Sequence, residues 1–150
     1  MKYRLDTTDE RILAKLMEDS SKSLARIARE LGLPRPTVNY RIQRMRKEGI
    51  IRKFTVLRNH ARLGRGMTTF VFVRYRRDNA VSQRKLADQL AKLPQVYEVH
   101  LITGDWDILL KIRTRNLKEV GSLVLDELRS LEGVERTLTS SALATVKEEI

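Results

Sequence analysis

Apolar side chains recur at helical spacing near the start of the chain. Between residues 24 and 31 they follow one another at i, i+3, i+4 and i+7, which places them on one face of a helix. Gly32 is suited to end this helix, and Pro36 fits the first turn of the next one, where a missing N–H costs little. The pattern predicts two short helices joined by a tight turn. The four apolar positions are Leu24, Ile27, Ala28 and Leu31.

The second helix has a narrow apolar stripe, formed by Val38, Ile42 and Met45. Cations, amides and a tyrosine occupy its other faces, and no acidic residue precedes Glu48. A helix of this kind suits the major groove of DNA. The two helices therefore predict a helix-turn-helix, with double-stranded DNA as the leading partner. The residues off the stripe include Arg35, Asn39, Tyr40, Arg41, Gln43, Arg44, Arg46 and Lys47.

These side chains divide into two expected roles. Asn and Gln pair with adenine and Tyr packs on a thymine methyl group, whereas cations on phosphates position a protein without specifying a sequence. A solvated basic face is the structural alternative for the whole set, and Arg41 has its own alternative as a support for the fold. The predicted base-reading residues are Arg35, Asn39, Tyr40 and Gln43. The predicted phosphate contacts are Arg41, Arg44, Lys47, Arg52 and Lys53.

A further helix is predicted upstream. Thr7 and Glu10 have the spacing of a capping box, which indicates a helix over about 8–18. Residues 1–50 then form a three-helix DNA-binding domain, and 51–66 connect it onward. We expect a wing or linker strand over 50–57 and a hinge over 58–66, which has two glycines and no periodicity. The apolar positions of the first helix are Ile12, Leu13, Leu16 and Met17.

From Met67 the apolar pattern changes to alternation. It predicts strands over 67–77, 96–103, 106–114 and 134–146, with helices over 81–93 and from Asn116 to Gly133. The order βαββαβ is typical of a ferredoxin-like domain. The fold class is therefore α+β: an N-terminal winged helix-turn-helix and a C-terminal ferredoxin-like domain over 67–150.

The first predicted strand is apolar on both faces. Phe70 and Phe72 point one way, and Val71, Val73 and Tyr75 point the other way. A sheet covered by helices on one side only needs one apolar face. A second copy of the chain is the simplest cover for the other face, so the pattern predicts at least a homodimer.

Charge supports the division into halves. The chain carries a net charge of +11, and residues 1–66 hold 17 Lys+Arg against 7 Asp+Glu, whereas residues 67–150 hold 13 against 12. Such asymmetry favours an anion-binding half, with nucleic acid as the obvious polyanion. A membrane surface is disfavoured because the basic helices have only narrow apolar stripes. No cysteine, membrane-length apolar run or signal-peptide core is present, so we expect a cytoplasmic protein.

Four segments together resemble one known family. They are LDTTDERIL at 5–13, IARELGLPRPTVNYRIQRMRKEGIIRKF at 27–54, Leu63-Gly64, and TGDWDILLKI at 103–112. The chain resembles the Lrp/AsnC transcription regulators of bacteria and archaea along nearly its whole length. The resemblance implies an N-terminal DNA-binding head and a ferredoxin-like domain that dimerises, assembles further, often to octamers, and binds amino acids between subunits. Pro34 is a departure, since many members have Ser before the recognition helix.

The resemblance also implies an effector site around Gly104. The ammonium of an amino acid needs a carboxylate, for which Asp105 and Asp107 are the candidates, and its carboxylate needs N–H or hydroxyl donors. The alternative is an ordinary β-turn with ordinary hydroxyls on a strand. The full candidate set is Leu101, Thr103, Gly104, Asp105, Asp107, Thr137, Thr139, Ser140 and Ser141. No metal or other cofactor is expected.

Two other functions remain as alternatives. Sirohaem decarboxylases look similar across both domains, but His60 and His100 are the only histidines, and no P-loop, metal motif or catalytic triad is recognisable. We therefore do not expect an enzyme. An effector-independent, DNA-compacting architectural protein would use the same positive charge. A strong sequence preference in DNA binding would distinguish a regulator from it.

Overall fold

The structure is a computed structural model that describes residues 4–78 and 80–148. It divides the chain into two compact units with the boundary between Leu57 and Arg58. We call them the head, up to Leu57, and the sheet unit, from Arg58. Within the described ranges, no helix combines the length and apolar character needed to cross a membrane.

Three helices form the head: α1 (Thr7–Glu18), α2 (Leu24–Leu31) and α3 (Arg35–Lys47). The predicted stripes meet in its core, where Ile12, Ile27, Val38 and Met45 have no exposed surface. The three-helix prediction is confirmed. Met17 was expected to face inward, but it is 83% exposed because it lies beyond the edge of the buried face.

The cap of α1 differs from the predicted one. Asp6, not Thr7, is the N-cap, because its extended backbone (φ −101°, ψ 170°) precedes a helix that already begins at Thr7. The Asp6 side chain accepts from the Asp9 N–H at 2.9 Å, and the Asp9 side chain accepts from the Asp6 N–H at 3.2 Å. These reciprocal bonds are a capping box shifted by one residue from the predicted pair.

The predicted wing strand over 50–57 does not form: residues 52–59 have no regular secondary structure. A strand needs a neighbouring strand for its backbone hydrogen bonds, and among the described residues of the head no strand is present. Phe54, Val56 and Leu57 are accordingly exposed. The apolar residues of this segment favour an extended chain, but no neighbouring strand is present in the described head to pair with it.

The segment 58–66, predicted as a hinge, belongs to the sheet unit. Asn59 organises a turn there, since its side chain accepts from the Arg62 N–H at 3.0 Å. His60 packs edge-on against Tyr97 of a strand, with 4.9 Å between ring centroids. These contacts attach the segment to the second unit, and the division between the units, after Leu57, falls within the predicted connection over 51–66.

The sheet unit confirms the ferredoxin-like prediction. Its elements are β1 (Met67–Tyr75), α4 (Gln83–Leu90), β2 (Val96–Leu101), β3 (Ile108–Thr114), α5 (Leu117–Ser122) and β4 (Val134–Ser141). A π-helical turn and a 3₁₀ turn extend α5 to Ser130. The antiparallel sheet has the order β2-β3-β1-β4. The strands are shorter than predicted at their ends, notably β4, which stops at Ser141 rather than near residue 146.

The two faces of β1 have different surroundings. Val71 and Val73 are fully buried in the core formed with the helices. Successive side chains of a strand point to opposite faces, so Phe70 and Phe72 lie on the other face. We call this face, which no helix covers, the open face. Phe72 pairs there with Leu109 of β3 and Leu138 of β4. The second apolar face predicted from the sequence is therefore the one without helices.

Candidate nucleic-acid interface and ligand site

The turn before α3 forms as its sequence predicts. Gly32 adopts a left-handed conformation (φ 67°) that ends α2, a conformation that costs glycine little. Pro34 then occupies the N-cap of α3 without any side-chain hydrogen bond, and Pro36 lies in the first turn. The serine cap absent here is not replaced by another side chain. The fixed φ of proline instead restricts the chain to a conformation compatible with helix entry.

The surface of α3 separates into a buried and an exposed side. Val38, Ile42 and Met45 are buried, while Tyr40 is 64% exposed on the opposite side. The other predicted base-reading residues, Arg35, Asn39 and Gln43, are also exposed. The helix thus presents amide, guanidinium and phenol groups along one accessible surface. That surface has the chemistry required to contact base edges in a major groove.

Arg41 has a different position from the other cations of α3. Its Nη1 donates to Asp6 Oδ2 at 2.6 Å and to Asp9 Oδ1 at 2.9 Å, and the Asp9 side chain is only 1% exposed. The bond from Arg41 lowers the pKa of Asp6, and the two carboxylates raise the pKa of Arg41. Arg41 therefore connects α3 to α1. The structure supports the structural alternative for this residue instead of the phosphate contact.

The remaining predicted phosphate contacts are all exposed. Arg44 and Lys47 lie on α3, and Arg52 and Lys53 lie in the irregular segment that follows it. Arg46, which was not assigned to phosphate, donates to Gln43 Oε1 at 3.4 Å. Five basic residues after residue 41 are therefore exposed along the end of α3 and the segment beyond it. They are Arg44, Arg46, Lys47, Arg52 and Lys53.

In the sheet unit, the turn between β2 and β3 holds the predicted ligand residues Thr103, Gly104 and Asp105, all exposed. Gly104 has φ 111°, in the region that favours glycine. Asp107 is engaged by the fold: its Oδ2 accepts from the Tyr75 N–H at 2.9 Å. Its backbone also bonds to Ile102 and β1. The carboxylate of Asp105 is thus the accessible one of the two candidates.

The hydroxyl residues of β4 do not converge on this turn within one chain. Thr137 pairs with Val73, near the turn, but its Oγ1 accepts from Arg129 Nε at 3.2 Å. Ser141 pairs with Thr69 at the other end of β1, and their hydroxyls are 3.1 Å apart. Ser140 points to the opposite face from Thr139, since neighbours on a strand alternate. Leu101, 46% exposed, ends β2 beside Ile108.

Three side chains beside the turn form a group that the sequence did not predict. Trp106 has the Arg74 guanidinium carbon 5.9 Å and the Arg136 guanidinium carbon 4.9 Å from its ring centroid. Arg74 and Arg136 are directly paired across β1 and β4. The register of β1 and β4 would have predicted the pairing of the two arginines. The position of Trp106 beside them depends on the path of the turn, which the spacing of residues does not predict.

Charged residues surround the apolar centre of the open face. Lys111 is bound by Glu98 at 2.9 Å and also by Glu148, which follows β4. Those two carboxylates have lowered pKa values because Lys111 donates to both. Arg113, almost fully buried, also donates to Glu148. Within the described residues, no cluster of three or more acidic or histidine side chains has the arrangement of a metal site.

Comparison with protein families matches both units. A family model described as winged helix-turn-helix DNA-binding matches residues 5–52, and one described as the Lrp/AsnC ligand binding domain matches residues 68–150. An HTH-type transcriptional regulator of Pyrococcus furiosus is 47% identical over 146 residues, with 97% of each chain covered. The HTH-type transcriptional regulator FL11 of Pyrococcus abyssi is 38% identical over 148 residues, with 99% of this chain and 95% of the relative covered.

Solved structures agree with these matches. A transcriptional regulator from Neisseria meningitidis, crystallised as an L-Met complex, superposes with a TM-score of 0.91 at 26% identity. The alignment covers 97% of this chain and 94% of that one. AsnC of Escherichia coli, at 22% identity and a TM-score of 0.86, shows the same fold over 99% of this chain and 98% of its own. The chain therefore belongs to the Lrp/AsnC family of DNA-binding transcription regulators.

Proposed function

We propose that this regulator is sequence-specific and that α3 enters the major groove. The observation that carries the proposal is the exposed side of α3, where Asn39, Tyr40 and Gln43 lie away from the buried stripe. Arg35, at the start of the helix, extends that surface. Arg44, Lys47, Arg52 and Lys53 would contact phosphates on either side, which fixes the orientation of the helix on the duplex. The regulators of this family belong to bacteria and archaea, whose DNA lies in the cytoplasm. We therefore propose that this protein is cytoplasmic.

Selection of duplexes from a random pool tests the proposal directly. The full-length protein should enrich a defined sequence, and its affinity for that sequence should exceed its affinity for random DNA by about 10³ or more. If the enriched pool binds no more tightly than the starting pool, the protein is better described as a DNA-compacting architectural protein. In that case Asn39 and Gln43 have no role in base reading.

We also propose that two copies associate through the open face of the sheet. Phe70, Phe72 and Leu109 are only half-buried there, and Leu138 is 47% exposed. Packing of two such faces would remove this apolar surface from water, at about 25 cal/mol for each Å² buried. Paired copies would present two recognition helices to one DNA, and further assembly, up to an octamer, would place more heads along it.

The sheet unit is proposed to bind a free amino acid between subunits. The support is the accessible Asp105 carboxylate beside Gly104, together with the match to the ligand binding domain of the family. The N. meningitidis relative binds L-Met, which makes L-methionine the first probe. Because Thr139, Ser140 and Ser141 lie far along β4 from this turn, they would take part only across a subunit boundary.

Calorimetric titration with the twenty amino acids, L-methionine first, tests ligand binding. Asp105→Ala should weaken binding, whereas Asp126→Ala, which removes an exposed carboxylate from the turn after α5, is a matched surface control. The bound amino acid should shift DNA affinity by about 1–3 kcal/mol, and DNA should shift amino-acid affinity equally. Binding by none of the twenty would leave a regulator that responds to no free amino acid.

A further inference from the structure

The one tryptophan of the chain lies beside two guanidinium groups at one end of the open face. The Arg136 guanidinium carbon is 4.9 Å from the centroid of the Trp106 ring, and that of Arg74 is 5.9 Å from it. Both distances are within the range of a cation–π interaction. Phe72 supports the indole from the apolar centre of the sheet, with 6.1 Å between ring centroids. The indole thus gives the two cations a common, partly desolvated surface.

The two arginines are directly opposite each other on neighbouring strands, Arg74 on β1 and Arg136 on β4. Like charges at directly opposed positions of a sheet repel. Among residues 4–78 and 80–148, neither guanidinium forms an ion pair with an acidic side chain. Arg74 Nη2 donates to the carbonyl oxygen of Asp105, whereas its Nε is buried without a hydrogen-bond partner in the same ranges. A buried donor of this kind is costly unless an acceptor reaches it.

The neighbouring acidic residues do not neutralise the pair. Asp107 uses a carboxylate oxygen to accept from the Tyr75 N–H, which holds it at the end of β1. Asp105 accepts from Arg74 through its backbone carbonyl and not through its carboxylate, and Asp105 is exposed on the turn. The positive charge of Arg74 and Arg136 is therefore uncompensated by the described part of the chain, although acidic residues are close in sequence to the indole.

We propose that Arg74 and Arg136, against the ring of Trp106, form an anion site that binds the carboxylate of a small organic acid. A planar guanidinium matches the two oxygens of a carboxylate, and two of them facing one anion relieve their mutual repulsion. When the acid is an amino acid, the nearby Asp105 carboxylate is suited to its ammonium group. The identity of the ligand as an amino acid rests on the proposed function, whereas the anion site itself does not.

Ligand binding at this site can be followed by tryptophan fluorescence, because Trp106 is the only tryptophan in the sequence. The full-length protein is titrated with sodium acetate, with sodium chloride at matched ionic strength, with L-methionine and with L-methioninamide, which lacks the carboxylate. The fluorescence of Trp106 should respond saturably to acetate and L-methionine, and far more weakly to chloride and the amide. Arg136→Ala should weaken the response roughly tenfold or more, since a hydrogen bond between charged groups is lost. Arg136→Lys should recover part of it, and Lys118→Ala, which removes an exposed cation on α5, should match the wild type.

Several outcomes would overturn the anion site. Equal responses to acetate and chloride would show screening only, and an unchanged L-methionine affinity in Arg136→Ala would place the ligand carboxylate elsewhere. The latter result would leave the proposed amino-acid response standing, whereas an acetate response without any amino-acid binding would support the anion site alone. If Arg136→Ala instead changes the sedimentation of the protein while acetate has no effect, the carboxylate comes from a second copy of the chain and the small-molecule site is wrong.

Discussion

At the scale of single residues, Arg41 shows how hydrogen-bond partners far away in sequence change the role of a side chain. It lies on α3 among cations that face solvent, so the sequence placed it with the phosphate contacts. In the structure, Asp6, the N-cap of α1, and Asp9, in its first turn, each accept a hydrogen bond from Arg41 Nη1. Arg41 is thus expected to act on DNA binding through the stability of the head, because a recognition helix needs a fixed position relative to α1.

We expect Arg41→Ala to lower the free energy of unfolding of the head by roughly 1.5–3 kcal/mol, since charge-assisted hydrogen bonds are lost. Most of this loss should come from Asp9, which is almost fully buried, because the exposed Asp6 is screened by water. Thermal unfolding followed by circular dichroism measures the change. Lys47→Ala, an exposed cation of the same helix, is the control and should leave the midpoint nearly unchanged. Equal midpoints for wild type and Arg41→Ala would contradict the structural role.

The hydrogen bond between Arg41 and Asp6 also makes the stability of the head depend on pH. The pKa of Asp6 is lowered in the folded state, first of all by its hydrogen bond from Arg41. A depressed carboxyl pKa contributes stability above the unfolded-state pKa, and this contribution is lost as the pH falls through the folded-state pKa. The difference in unfolding midpoint between wild type and Arg41→Ala should therefore narrow in acid. A difference that widens as the pH falls would contradict this assignment.

Base reading and phosphate contact are separable at individual residues of α3. Gln43→Ala and Asn39→Ala should each cost about 1–3 kcal/mol on the selected duplex and little on random DNA. Lys47→Ala should weaken both by a similar factor, because phosphates carry no sequence information. Fluorescence anisotropy with the two duplexes distinguishes these results. A proportional loss on both duplexes for Gln43→Ala would reassign it to general affinity.

At the scale of elements, β1 is the strand whose two faces serve different partners. Val71 and Val73 pack under the helices, whereas Phe70 and Phe72 form the centre of the open face. The central position of β1 in the order β2-β3-β1-β4 puts these aromatics in the middle of the sheet. A helix-free sheet face with aromatic side chains at its centre resembles the buried centre of an interface more than a solvated surface.

Phe72→Asp should therefore shift the protein from dimer to monomer, because a charge in the centre of an apolar interface would be buried without a partner. Analytical ultracentrifugation at micromolar concentration measures the shift. Leu125→Asp, which adds the same charge at an exposed apolar position on the helical side, is the control and should leave association unchanged. The open-face dimer is refuted by a Phe72→Asp protein that sediments as the wild type does.

At the scale of the whole molecule, charge is concentrated in the head and in the segment that follows it. Residues 1–57 hold 14 Lys+Arg and 7 Asp+Glu, and no acidic residue occurs between Gly49 and Arg77. With the structural boundary at residue 57, Arg58, Arg62 and Arg65 belong to the sheet unit. Positive charge therefore continues from the head into the second unit, where the sequence had suggested a hinge.

DNA affinity should fall steeply with salt, because each neutralised phosphate releases counterions. A plot of log affinity against log salt should have a slope of several units, at about −0.9 per phosphate contacted. Lys53→Ala should reduce the magnitude of the slope by about one unit. Glu135→Ala, on the exposed side of β4, should not reduce it. A salt-independent affinity would exclude phosphate contacts as the main source of binding.

The sequence by itself determined the elements and their order. Periods of 3.6 and 2 residues are local, so they identified three helices in the head, the βαββαβ order and the two apolar faces of β1. Glycine conformation at Gly32 and Gly104 was also predictable, because it depends on the neighbouring residues alone. The separation of the α3 surface into buried and exposed sides followed from the same spacing.

Tertiary structure decided which distant groups meet. Arg41 binds Asp6 and Asp9, more than thirty residues away, and Asp107 binds the backbone of Tyr75. The pattern over 50–57 predicted a strand, but a strand depends on a partner that local spacing cannot supply. The hydroxyls of Ser140 and Ser141 and the carboxylate of Asp105 were predicted to form one ligand site, but they lie at opposite ends of the sheet. Arg74, Arg136 and Trp106, which the sequence did not connect, come together beside the turn. Contacts of this kind depend on long-range chain geometry, which no local repeat encodes.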